Sequence, residues 1–256
     1  MPSTDRCRIG VQLWPQATTT DALRRAAVDA EEAGVDSIWI WDHFFPLRGD
    51  PQAAHFESWT LLSAVAVETS RVQLGHLVGG AAYRNPHLVA DMARTVDHLS
   101  HGRFVLGLGA GWFQRDYEEY EYPFGTVGTR VRDLDAYLYR VRRRLTRLTP
   151  PPVGPLPILV GGMGERVMLR LVAEHADVWN GAGSPEEFAR ANATLDGWCE
   201  RIGRDPATIE RTCHIALEAA DEVEAYVAAG AQELMIQCPD PFDLGPARRM
   251  LAAVGA

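Results

Sequence analysis

The chain contains no lysine, and all 25 of its basic residues are arginine. That absence removes a class of chemistry, because a Schiff base to a carbonyl substrate or to pyridoxal phosphate needs a lysine amine. Cysteine is sparse as well. Cys7, Cys199, Cys213 and Cys238 are scattered along the chain and lack the paired spacing of a metal site or a redox dithiol. No apolar run approaches the roughly 20 residues that cross a bilayer, and no apolar leader stands at the N-terminus. Reduced thiols and a cytoplasmic location are therefore expected. Basic charge is in the minority: 34 acidic side chains against 25 basic ones give a net charge of -9. This argues against nucleic acid or an anionic membrane as a partner, since either needs a broad basic surface. The one basic cluster, Arg140, Arg142, Arg143, Arg144 and Arg147, interleaves with Val131, Leu134, Leu138, Val141, Leu145 and Leu148 at three- and four-residue spacing. It reads as the solvated face of a helix. A serine-hydrolase elbow, a Walker loop and metal-ligand spacing are also missing.

What is present is alternation. A hydrophobic fraction of 46% with 23% charged residues belongs to a folded globular chain and excludes disorder. Short β-rich runs occur at Ile9 to Leu13, Ser37 to Trp41, Val72 to Val78, Phe104 to Gly109, Ile158 to Val160, Asp177 to Asn180, Thr212 to Leu217 and Glu233 to Cys238. Helical patterns follow them at Asp21 to Ala33, Ser58 to Thr69, Pro86 to His98, Arg130 to Leu148, Glu165 to His175, Pro185 to Ile202, Asp221 to Ala229 and Phe242 to Val254. Thr20 is placed to cap the first helix, and Gly34 to end it with a left-handed turn. Eight strand-helix units in 256 residues fill a closed (β/α)8 TIM barrel as one domain, residues 1–256, with a doubly wound open sheet as the alternative.

Chemistry is expected where the strands end. Ser37-Ile38-Trp39-Ile40-Trp41-Asp42-His43 carries an acid and an imidazole to the carboxyl end of a strand, which in parallel α/β folds is the ligand end. Gly161-Gly162-Met163-Gly164 follows the fifth strand and opens a helix, a junction suited to a phosphate. Gly107 to Trp112, with Gly109 and Gly111 among them, leave room for a planar ring, and Gly75 to Gly80 leave room for backbone to touch a ligand. Trp14 and Trp112 stand on the substrate side of that mouth. The aromatic stretch Trp112, Phe113, Tyr117, Tyr120, Tyr122 and Phe124 fits either a lid over a flat ligand or the packing of its own loop. The proline-rich Pro150 to Pro157 lies on the helix-to-strand side and reads as a stiff linker at the stability face. His55, His87, His175 and His214 have no partner that spacing reveals, and His98 and His101 precede a strand at the wrong end for catalysis.

Four motifs in order, Trp41-Asp42-His43-Phe44, Leu74-Gly75 through Tyr83-Arg84-Asn85-Pro86, Leu99-Ser100-His101-Gly102-Arg103 with Gly107 to Trp112, and Leu159-Val160-Gly161-Gly162, give the chain its family likeness. Together they resemble the luciferase-like oxidoreductase superfamily, in particular the branch that uses the deazaflavin coenzyme F420. The resemblance implies a β/α barrel in which Asp42 and His43 face the coenzyme, with His43 near the ring that exchanges hydride. It implies a non-proline cis peptide at Leu77-Val78 behind the deazaflavin, and coenzyme phosphate held at Gly161, Gly162 and Met163. Two departures stand out. Sugar-phosphate dehydrogenases of the superfamily carry a glutamate where this chain has Trp112, which argues against glucose 6-phosphate as substrate. The insertion before the fifth strand is reduced to the proline-rich linker, leaving the pocket more open or completed by a partner subunit.

The leading expectation is an F420-dependent oxidoreductase acting on a small organic substrate, with His43 as proton donor or acceptor. The alternatives are an FMN-dependent monooxygenase on the same barrel, a nonredox phosphate-binding enzyme using Asp42 and His43 alone, and a noncatalytic coenzyme-binding protein. Leu61, Leu62, Val65 and Val67 form a candidate homodimer face that core packing explains equally well.

Overall fold

Period-two alternation decides which way each strand faces. The computed structural model describes residues 6–255 and is built on parallel strands: β1 (Arg8–Leu13), β2 (Ser37–Ile40), β3 (Gln73–His76), β4 (Gly79–Gly80), β5 (Phe104–Gly109), β6 (Ile158–Gly161), β7 (Val178–Gly181), β8 (Glu210–Ile215) and β9 (Glu233–Cys238). Their order is β3-β2-β1-β9-β8-β7-β6-β5-β4, and pairing of β3 with β5 closes the ring. The short β4 continues the third strand beyond Leu77-Val78, whose peptide bond is cis. The eight expected runs thus form a closed (β/α)8 barrel of the TIM type.

On β1 the outward residues Ile9, Val11 and Leu13 join the cluster between barrel and helices. The inward ones are Arg8, Gly10 and Gln12. At mid-height the interior holds a separate apolar layer of Trp39, Val105, Leu159, Val178 and Met235 with Leu77 above it. The amino end is closed by charge instead. Arg8 pairs with Glu210 and with the fully buried Glu233, which also accepts from Ser37 Oγ, while Arg8 Nη1 donates to Gln73 Oε1 at 2.9 Å. Gly10 makes room for this plug: a Cβ there would lie 3.1 Å from Glu233 Oε1 and 3.2 Å from Trp39 Nε1.

Helices α1 (Thr20–Ala33), α2 (Ser58–Glu68), α3 (Pro86–Leu99), α4 (Gln114–Glu119), α5 (Val127–Leu145), α6 (Met168–His175), α7 (Pro185–Ile202), α8 (Val223–Ala228) and α9 (Gly245–Ala253) surround the barrel. The cap of α1 is Thr19, whose hydroxyl accepts from Ala22 N, so Thr20 is already helical; Gly34 is left-handed as expected. α5 begins earlier than the hydrophobic pattern suggests, because Thr126 and Thr129 build a capping box ahead of it. α6 begins later, since the loop after β6 runs on to Val167. α4 was not expected, and the site depends on it. The proline-rich linker is fastened at the amino end of the barrel, where Asp97 Oδ2 accepts from Val153 N (2.7 Å) and Gly154 N (3.1 Å). Leu61, Leu62 and Val65 are buried against the barrel and only Val67 is exposed, which fits core packing. Among the described residues no helix is long and apolar enough to cross a membrane.

Candidate active site

Strand ends converge on a cavity of about 380 Å³ at the carboxyl end of the barrel. Its lining includes Trp14, Asp42, His43, Leu77, Val78, Gly111, Trp112, Gly161, Gly162 and Met163, all expected there from sequence. Gly109 and Gly164 are not in the lining. A Cβ on Gly109 would stand 2.6 Å from Val78 Cγ2, so this glycine leaves space for a side chain of the cavity wall and none for a ligand. A Cβ on Gly164 would meet Met168 Cβ at 3.3 Å in the turn before α6.

The two titratable groups after β2 have different partners. Asp42 is buried and fully engaged: Oδ1 accepts from Ser58 Oγ at 2.8 Å, and Oδ2 accepts from Arg84 Nη1 at 2.6 Å and Gly80 N at 3.3 Å. Behind Ser58 stands His76, with Nε2 3.1 Å from the hydroxyl; burial pushes its pKa down to about 4. A neutral imidazole donating from Nε2 completes a chain His76 to Ser58 to Asp42. Asp42 is therefore committed to holding β2, β4 and α2 in register, and it does not touch the imidazole next to it in sequence.

His43 is held from α4. Asp116, fully buried, accepts from His43 Nδ1 at 2.5 Å, from Tyr83 Oη at 2.8 Å and, through Oδ1, from the Phe44 amide at 3.0 Å. Since a carboxylate only accepts, the proton lies on Nδ1 and the Nε2 lone pair is the free one. Nε2 has no partner among the described residues and is not sealed from solvent. Burial, reinforced by Asp116, pushes the Tyr83 phenol far up, so Tyr83 stays a donor. Trp112 and Phe113 approach the imidazole edge-on, each with ring centroids 5.7 Å away.

Of the aromatic stretch, only Trp112 lines the cavity, and it is 62% exposed. The others pack on one another: Tyr120 stacks on Phe44 at 4.1 Å, and Tyr117 is buried between Tyr83 and Phe124. The loop-packing reading holds for them. His55 has a partner after all, Trp41 Nε1, from which its Nε2 accepts at 3.1 Å. Asp116 itself escaped the sequence reading. Its signal was the spacing of Phe113, Asp116, Tyr117 and Tyr120, which puts the acid on the apolar face of one helical turn.

Residues 6–253 match the family described as luciferase-like monooxygenase. The chain belongs to that family. Among the relatives of this luciferase-like protein is the 5,10-methylenetetrahydromethanopterin reductase of Methanolobus tindarius, 25% identical over 230 residues, or 81% of this chain and 68% of the reductase. Its fold is shared with an F420-dependent secondary alcohol dehydrogenase in complex with an F420-acetone adduct (TM-score 0.86, 16% identity, 97% of this chain and 98% of the other). It is shared also with the oxygenating constituent of 3,6-diketocamphane monooxygenase from Pseudomonas putida, a type II Baeyer-Villiger monooxygenase in complex with FMN (TM-score 0.76, 13% identity, 97% and 98%). Proteins that share this fold thus include deazaflavin and flavin enzymes, and the family of this chain is one of luciferase-like oxidoreductases and monooxygenases.

Proposed function

We propose that the protein is an F420-dependent oxidoreductase that moves a hydride between the deazaflavin and a small organic substrate. The observation that carries this reading is the His43 imidazole, fixed through Nδ1 by buried Asp116 and open through Nε2 to an otherwise largely apolar and glycine-walled cavity. The cavity has features that fit the coenzyme. The backbone amides of Met163, Gly164, Glu165 and Arg166 have no acceptor among the described residues. They precede α6 and suit a phosphate group. Val78 and Gly161 supply a wall without polar side chains for a flat ring. The whole-length likeness to the F420-dependent alcohol dehydrogenase agrees with this choice.

When bound, F420 supplies the two-electron chemistry by giving or taking hydride. The protein must manage the proton. Oxidation of an alcohol requires a proton to leave its oxygen, and the Nε2 lone pair is placed to take it; reduction of a carbonyl requires the reverse, from the imidazolium. Asp116 acts as a positioning residue, fixing tautomer and ring orientation. Trp112 and Phe113 flank the imidazole on the solvent side and limit water at the proton-transfer step.

The test is a fluorescence titration with oxidised F420 and, separately, with FMN, on the wild type and on His43→Ala. Saturable binding of F420 in preference to FMN, with turnover lost in the variant while binding persists, is the expected result. Preference for FMN would move the assignment to a flavin monooxygenase, and binding of neither would overturn the coenzyme reading.

A further inference from the structure

Four neighbouring strands, β7, β8, β9 and β1, bring Asn180, His214, Gln237 and Gln12 to the cavity. Gln12 and Gln237 are register partners, so their side chains stand side by side on the inner face. Much of the hydrogen-bonding capacity here is unspent. Gln12 Nε2 donates to the Leu77 carbonyl at 3.0 Å, and Asn180 Nδ2 donates to Thr212 Oγ1 at 3.0 Å. Among the described residues, Gln12 Oε1, Asn180 Oδ1 and the whole Gln237 amide have no partner, and His214 Nε2 is buried without one. A buried polar atom without a partner is destabilising unless a ligand or water completes it. The acid-base chemistry assigned to His43 makes no use of this arc.

Charge narrows what completes it. The other charged side chains of the lining are Asp42, whose two oxygens are already occupied, and Arg48, which is exposed at the rim. Among the described residues no arginine hydrogen-bonds to Gln12, Asn180, His214 or Gln237, and burial holds the His214 imidazole neutral, with its pKa pushed down to about 4. A carboxylate or phosphate placed there would be desolvated without a counter-charge. A neutral carbonyl or amide would meet both donors and acceptors.

We infer that His214, with Gln237 and Gln12 beside it, is a recognition point for an uncharged carbonyl- or amide-bearing group and selects against anionic ones. The inference deepens the reading of this cavity as the reaction site and rests on it. Two sources carry the chemistry: the carbonyl edge of the deazaflavin and an uncharged substrate. The test uses full-length protein with 15N-labelled histidine, the His214 ring signals being assigned by their loss in His214→Asn. F420 is added first, its binding followed independently by its fluorescence; cyclohexanone, 2-pyrrolidinone and 4-oxocyclohexanecarboxylate are then titrated with and without F420. Saturable movement of the His214 signals is expected, with the carboxylate binding at least tenfold more weakly than cyclohexanone, and with His214→Leu weakening the responsible ligand about tenfold. Movement with F420 alone assigns the arc to the coenzyme; movement only with the ketone or lactam assigns it to the substrate. Unmoved signals throughout, or a carboxylate that binds as tightly as the ketone, would overturn the inference. Movement with the ketone in a protein blind to F420 would leave the inference standing and remove the coenzyme reading instead.

Discussion

His43 Nδ1 and Asp116 Oδ2 stand 2.5 Å apart, although 73 residues separate them in the chain. The acid that orients the candidate catalytic imidazole therefore comes from the short helix after β5, while Asp42, the sequence neighbour of His43, faces Arg84 and Ser58. Asp116→Asn tests this division. An amide offers one acceptor oxygen in place of two, so at least one of the three donors from His43, Phe44 and Tyr83 would meet N–H groups. Turnover of any accepted substrate is expected to fall on the order of 10²-fold, in the range of lost acid-base assistance, with the F420 dissociation constant within about threefold of wild type. Tyr83→Phe removes one donor and should cost about 1 kcal/mol of stability with little change in turnover. Steady-state kinetics and coenzyme titration of both variants check this, and equal losses of turnover in the two would contradict the assignment.

At the opposite end of the barrel, Arg8 pairs with both Glu210 and the fully buried Glu233. Arg8→Met would leave two carboxylates facing each other in the interior and should destabilise the protein by about 3–5 kcal/mol. Arg170→Met breaks the half-exposed i,i+4 pair with Glu174 and should cost less than about 0.5 kcal/mol. Urea unfolding of the two variants gives the comparison directly.

The strand count, the helix order, the ligand end and most of the cavity wall were legible because they follow from local patterns: apolar runs, caps and glycines at strand ends. What stayed hidden depends on side chains meeting across the barrel. Asp116 is one charge among aromatic residues in the sequence, and only the unexpected helix α4 turns it toward His43. His214 was set aside for want of a partner, yet its alternation with Thr212 and Glu210 on β8, matched by Glu233, Met235 and Gln237 on β9, already marked the inner face of both strands. Gly109 shows the converse: glycine at a strand end signals a close approach, and the approaching side chain here is Val78.

Three histidines predict how stability depends on pH. His55, His76 and His214 have pKa values pushed by burial from 6.5 down to about 4. Around His76, Asp42 and Glu57 oppose the shift while Arg84 adds to it. Because the unfolded chain takes up these protons at the ordinary value, it binds more protons than the native state between pH 6.5 and 4. Stability should accordingly fall as the pH drops through that window and level off below it, by on the order of 3 kcal/mol per histidine. Unfolding free energies from urea titrations at pH 7.5, 6, 5 and 4 measure the slope. His76→Leu should flatten it by one proton, and a slope unchanged in that variant would mean that His76 is not held neutral.

Two glycines of β5, two residues apart on the inner face, should respond differently to the same substitution. A Cβ on Gly107 would lie well inside contact distance of the His76 carbonyl oxygen, which is backbone of the paired strand and cannot rotate away. Gly107→Ala must therefore separate β3 from β5 where their pairing closes the barrel, and a loss of more than about 3 kcal/mol, or failure to fold, is expected. The methyl of Gly109→Ala would instead meet Val78 Cγ2 at 2.6 Å. Val78 borders the cavity, so the side chain can turn or shift toward it at a cost of about 1–2 kcal/mol, narrowing the space for a planar ring. Gly109→Ala should thus fold, melt only a few degrees lower, and bind F420 at least about tenfold more weakly, the equivalent of 1.4 kcal/mol. If Gly109→Ala bound F420 as tightly as wild type, Val78 would not form the wall against which the coenzyme is placed.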